Sequence, residues 1–269
     1  MAIKLFSKIS SFEFTKRDKL ILMSVFLTIV LVATQTVSAN LRYPVMAFLA
    51  FSTLVLAVFS LWGELSGVKY FLLLLLPVYF VVGATFFYFL LPVRWLTIVP
   101  FALFFGVAVY LLMLTSNIYN VAAIRTIALL RAAHAVGLLF TITSVYFLSN
   151  VLFSFHLPFY LISVGVFFIC APLYLVGLWS YELEEFISRK VFKYAMIFSL
   201  ITVEIVTVFA FWPILPTAGA LAVSTIMYVL LGISQFEFQG RMKERIVWEH
   251  LGIALIVFVI LLVSTHWGS

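Results

Sequence analysis

Glu204 is the one acid of this chain that stands inside an apolar stretch. Counted from Lys193 at 1.5 Å per helical residue, it lies about 16 Å in, near the middle of a hydrocarbon layer roughly 30 Å thick. An ionised carboxylate costs about 2.5–3.5 kcal/mol there on insertion scales. No Lys or Arg stands at matching depth, so the neutral acid bonded to a hydroxyl is expected. Ser224 and Thr225 on the following apolar stretch lie at comparable depth and are the expected partners, with Thr141, Thr143, Ser144, Ser52, Thr53 and Tyr79 also at that depth. Such a carboxyl either couples a proton or cation to transport or holds two helices in register.

The remaining chemistry-bearing side chains do not gather by spacing. Of the four histidines, His134 and His250 fall near one edge of their stretches, and His156 and His266 near the other. With a single cysteine, Cys170, and no HxxxH or HExxH spacing, neither a metal site nor a haem is expected, and no cofactor. No glycine-rich phosphate loop is present, nor paired aspartates of the kind that hold magnesium. His134 follows Arg131 by one helical turn, so it is either an ordinary interfacial histidine, the favoured reading, or a candidate to share a lipid headgroup or substrate phosphate with Arg131.

Glu184-Glu185-Phe186-Ile187-Ser188-Arg189 fits an EExxxR pattern. It resembles the first motif of CAAX-type intramembrane proteases, whose acids activate water together with histidines on later helices. The resemblance covers six residues. The next stretch lacks a Phe-xxx-His, and His250 has Ile246 where the phenylalanine belongs. Local pairing of Glu185 with Arg189 accounts for the motif better.

The elements that must position these groups follow from composition. Of 269 residues, 65% are hydrophobic and 10% charged, against about 25% charged in a soluble domain. Only helices or closed barrels satisfy the backbone in lipid, and continuous apolar runs exclude the alternating pattern of a barrel. The fold class is therefore an all-α polytopic membrane protein. Nine spans are read at about 20–39, 44–62, 69–91, 95–114, 132–153, 157–179, 193–212, 217–234 and 249–265. They follow a basic leader over 1–19, in which Ile3, Phe6, Ile9 and Phe12 suit an amphipathic interfacial helix. The first span is read as uncleaved, although Val37-Ser38-Ala39 resembles a signal-peptide cleavage site.

With this threading, every one of the 16 Lys and Arg residues except Arg42 and Arg94 falls on one side. The excess of cations marks that side, and with it the N-terminus, as cytoplasmic; the C-terminus lies outside. A bacterial or archaeal plasma membrane is the expected location. The connections on the other side are short and end near Pro44, Pro92, Pro158 and Pro216, giving four helical hairpins and a closing helix. Residues 115–134 are expected to lie along the interface and run into the fifth span.

The expected function is non-enzymatic: binding anionic lipid, or a membrane-protein partner or second copy, through cytoplasmic segments 115–131, 181–193 and 235–248. The residues expected to make those contacts are Arg125, Arg131, His134, Arg189, Lys190, Arg241, Lys243 and Arg245. The basic balance follows from topology and needs no nucleic acid. The alternative is a carrier or channel coupled through Glu204. Twelve glycines against 30 phenylalanines favour fixed packing over sliding helices.

Overall fold

The computed structural model describes residues 15–36, 41–61, 69–122 and 128–265, and among them the chain is helical without strands. Nine helices occur among the described residues: α1 (Lys16–Ala33), α2 (Arg42–Leu61), α3 (Lys69–Leu90), α4 (Trp95–Ala122), α5 (Leu130–Ser154), α6 (Phe159–Glu182), α7 (Arg189–Phe209), α8 (Pro216–Phe238) and α9 (Glu244–Ser264). Seven of them, α3 to α9, are long and apolar enough to cross a membrane, consistent with an integral membrane protein. The expected leader helix, the Val37-Ser38-Ala39 run and Arg125 lie outside the described residues.

Local sequence explains several boundaries. Thr15 opens α1 with a capping box: its hydroxyl oxygen accepts the Asp18 N–H at 3.3 Å, and the Asp18 carboxylate accepts the Thr15 N–H at 3.2 Å. Ser188 caps α7 by accepting the Val191 N–H at 3.1 Å. Pro216 opens α8 and Pro158 immediately precedes α6. Leu183 ends α6 in the left-handed region at φ 53°, and the Trp179 indole N–H donates to the Glu184 carbonyl at 3.0 Å, closing the turn.

One expectation about the elements is corrected. Thr115–Ala122 continues α4 instead of starting an interfacial helix, giving a helix of 28 residues, about 42 Å long. No Pro or Gly stands between Thr115 and Ala122 to end the helix there, and the polar residues of this part face the bundle: the Ser116 hydroxyl donates to the Leu73 carbonyl at 3.1 Å, and Tyr119 and Asn120 are buried.

The helices joined by the short connections touch one another, but those contacts are not the most extensive in the bundle. The most extensive contacts join α6 to α7 and α5 to α8, and α5 also packs against α3, α4 and α6. Helices α7 and α8 touch little, because the hydroxyls of α7 draw it toward α6. Ser163 and Thr207 share a hydrogen bond of 2.7 Å, and Tyr174 and Thr202 one of 2.8 Å. Helix α9 leans on α8 and buries Leu261 alone.

Aromatic rings fill the middle of the bundle. Phe80 is fully buried, with Phe105, Phe140 and Phe147 centroids 6.1, 5.3 and 6.1 Å away. Phe87 stacks on Phe147 at 4.6 Å and Tyr88 on Phe101 at 5.2 Å. Each such pair contributes about 0.5–1.5 kcal/mol beyond its buried area. Phenylalanine thus serves the interior as well as the outer surface, where Phe51, Phe71 and Phe168 stand exposed.

Candidate functional site

The densest set of interior polar side chains lies at the basic end of the bundle, where α4, α5, α6 and α8 meet. Tyr119 of α4 donates to the Ala133 carbonyl at 2.9 Å. His134 of α5 sets Nε2 2.8 Å from the Ser180 carbonyl of α6; a carbonyl oxygen only accepts, so Nε2 carries the proton. The imidazole lies between two rings, 5.7 Å from Tyr119 and 4.8 Å from Tyr181. Tyr181 in turn donates to Gln235 Oε1 of α8 at 3.3 Å.

Two ionisable groups border this cluster. Lys69, the first residue of α3, is only 6% exposed, and its Nζ lies 3.7 Å from a carboxylate oxygen of exposed Glu185. One carboxylate oxygen of Glu182 is buried and has no hydrogen-bond partner among the described residues. A cavity of about 10 Å³ lies among Tyr119, Gly137, Thr141, Ser180 and Tyr181, room for about one water. Gly137 is required at this wall: a Cβ there would stand 2.5 Å from the Tyr119 hydroxyl. The groups satisfy backbone carbonyls and one another, so the cluster ties four helices together.

Among the described residues no hydrogen bond or ion pair joins Glu184 or Glu185 to a histidine. Glu184 and Glu185 are exposed, the ion pair of Glu185 is with Lys69 and not Arg189, and His134 is committed to Ser180. Among the described residues no group of three His, Cys, Asp or Glu side chains could hold a metal ion.

Glu204 stands apart from these groups, on the outer surface of α7. At 3.6 residues per turn, Lys193, Ile197, Leu200, Glu204 and Val208 fall within one arc of about 80°, and all five are exposed. The opposite face, with Val191, Ala195, Ser199, Thr202 and Val206, is buried. Among the described residues no hydrogen bond or ion pair reaches Glu204. The expected partners turn elsewhere. Buried Ser224 donates to the Ala220 carbonyl at 2.9 Å, and Thr225 to the Leu221 carbonyl at 2.8 Å. The pairing fails because α8 packs on α5 and α7 on α6, which points Glu204 away from both.

Thr225 lies instead in an apolar groove of about 290 Å³ between α7 and α9, floored by α8. Ile201, Ile205 and Phe209 form one wall, and Ala254, Val257 and Phe258 the other.

The basic side chains divide into free and committed. Arg131, Arg189, Arg241 and Lys243 are exposed. Lys190 lies 4.2 Å over the Phe238 ring, next to Tyr194, whose hydroxyl donates to Glu237 at 3.0 Å. Arg245 pairs with Glu249 at 2.7 Å within α9. His134, expected beside Arg131 at the surface, points inward instead.

Sequence reasoning missed Tyr119, Ser180, Tyr181 and Gln235 because they are polar residues on three different helices, without motif spacing. A signal was nevertheless present, since the low hydropathy of 115–134 marked half of the cluster. No protein-family model matches this chain, and neither does any curated protein or solved structure.

Proposed function

We propose that this protein is a nine-span component of a bacterial or archaeal plasma membrane that binds anionic lipid and a membrane-protein partner at its cytoplasmic face. The N-terminus and the basic end lie in the cytoplasm, following the cation excess. One observation carries the reading: a polar cluster around His134 and Tyr119 is tied down at the basic end, and rings pack around Phe80 further along the bundle. That arrangement suits a rigid platform presenting Arg131, Arg189, Arg241 and Lys243, together with Arg125, to headgroups and a partner. Each cation near an anionic surface contributes about 1 kcal/mol, screened beyond a Debye length.

The carrier reading has less support. Coupling through Glu204 needs the carboxyl on a path through the bundle, and it stands on the outside of α7.

Reversing Arg131, Arg189, Arg241 and Lys243 to glutamate tests the platform. In proteoliposomes, enrichment of anionic lipid around the variant should fall severalfold, and more at low salt than at high salt. Unchanged enrichment with the fold intact would refute it. A Glu204→Gln protein should give the same proton and cation flux as the parent; loss of a pH-linked flux would instead establish the carrier.

A further inference from the structure

We infer that the outer face of α7 centred on Glu204 docks a transmembrane helix of a different protein, one that carries a Lys or Arg side chain at the same depth. The inference deepens the partner half of the proposed function and rests on it.

The geometry comes first. Ile197, Leu200, Glu204 and Val208 recur every three or four residues along α7 and all are exposed, which is the spacing by which one helix packs along another. Glu204 occupies the centre of that stripe. The other polar residues near it on α7 are already bonded, Thr202 to Tyr174 and Thr207 to Ser163, so Glu204 is not a displaced member of an internal pair. Beside the stripe, the groove between α7 and α9 offers about 290 Å³ of apolar space for the side chains of a second helix.

Chemistry then selects the occupant. Lipid tails offer a carboxyl neither a hydrogen-bond donor nor a counter-charge, and polar groups facing lipid are satisfied by neighbouring helices. A basic side chain supplies both. A second copy of this chain does not, because all of its Lys and Arg residues lie in the connections or at span edges. A copy docked on the same face would bring a second carboxyl to the first. Charge complementarity therefore points to another polypeptide.

The test uses the full chain, dye-labelled at Met242→Cys and reconstituted at high dilution in phosphatidylcholine vesicles. Acceptor-labelled poly-leucine helices of about 23 residues, with Lys, Glu or Leu at the centre, are the probes. Energy transfer should show the Lys helix associating at least about fivefold more tightly than the Leu helix, the difference expected of one interhelical polar contact in lipid. Glu204→Leu should abolish the difference and Glu204→Asp should keep most of it. A thermal midpoint no lower than the parent's for both variants shows that the fold survives.

Equal association of the Lys and Leu helices would overturn the inference, as would a Lys preference that survives Glu204→Leu. Preference for the Glu helix, with Glu204-dependent transfer between labelled copies, would overturn it in favour of a self-pairing face. If the Lys preference fails while anionic lipid enrichment persists, the docking face alone is refuted. If both fail, the proposed function falls with it.

Discussion

His134 Nε2 lies 2.8 Å from the Ser180 carbonyl oxygen, and the imidazole is held between the rings of Tyr119 and Tyr181. This bond crosses from α5 to α6 one residue before Tyr181 reaches Gln235 on α8. Three helices are thus linked through two adjacent residues of α6, at the end of the bundle where the basic connections emerge. Polar contacts between membrane helices average only ~0.6 kcal/mol, so the link depends on several weak bonds acting in one place.

Removing the imidazole should cost more than such a contact is worth. His134→Ala leaves the Ser180 carbonyl without this donor and opens space between two rings. An unsatisfied buried group costs about 1–3 kcal/mol, which should lower the thermal midpoint in detergent by several degrees. An unchanged midpoint would show that another group satisfies the carbonyl.

Gly137 and Tyr119 should behave as a coupled pair. Gly137→Ala drives a methyl toward the Tyr119 hydroxyl and should destabilise by about 1–3 kcal/mol, the usual range for overpacking. Tyr119→Phe removes the obstructing oxygen, so the double variant should lose less than the sum of the two single losses. Simple additivity in a denaturation series would separate the two positions.

Lys69 and Glu185 should be unequal partners. Glu185 is largely exposed, so Glu185→Gln should change stability by less than about 1 kcal/mol. Lys69→Met replaces a buried ammonium with an apolar chain of similar length and should be neutral or stabilising. A large loss of thermal stability from Lys69→Met would mean that the ammonium holds more than Glu185.

Glu204→Leu should raise the stability of the isolated protein in vesicles, by up to about 2–3 kcal/mol if the acid faces lipid alone. The comparison is the unfolding midpoint of the parent and variant without any partner. A marked loss would place Glu204 in an internal bond.

The single sequence specified the helices, because 65% hydrophobic composition and continuous apolar runs leave the backbone few other ways to satisfy its hydrogen bonds. It also located most boundaries to within a few residues, with Pro158 and Pro216, which act locally, marking two of them. It singled out Glu204 by the same reasoning, since depth along a helix is counted from sequence. Which way Glu204 faces was a tertiary matter. That direction depends on the hydroxyl pairs that turn α7 toward α6 and on the packing of α8 against α5, contacts between residues about thirty to ninety positions apart. The same holds for the cluster of Tyr119, His134 and Tyr181. Each is an ordinary polar residue on its own helix, and only the folded arrangement makes them neighbours.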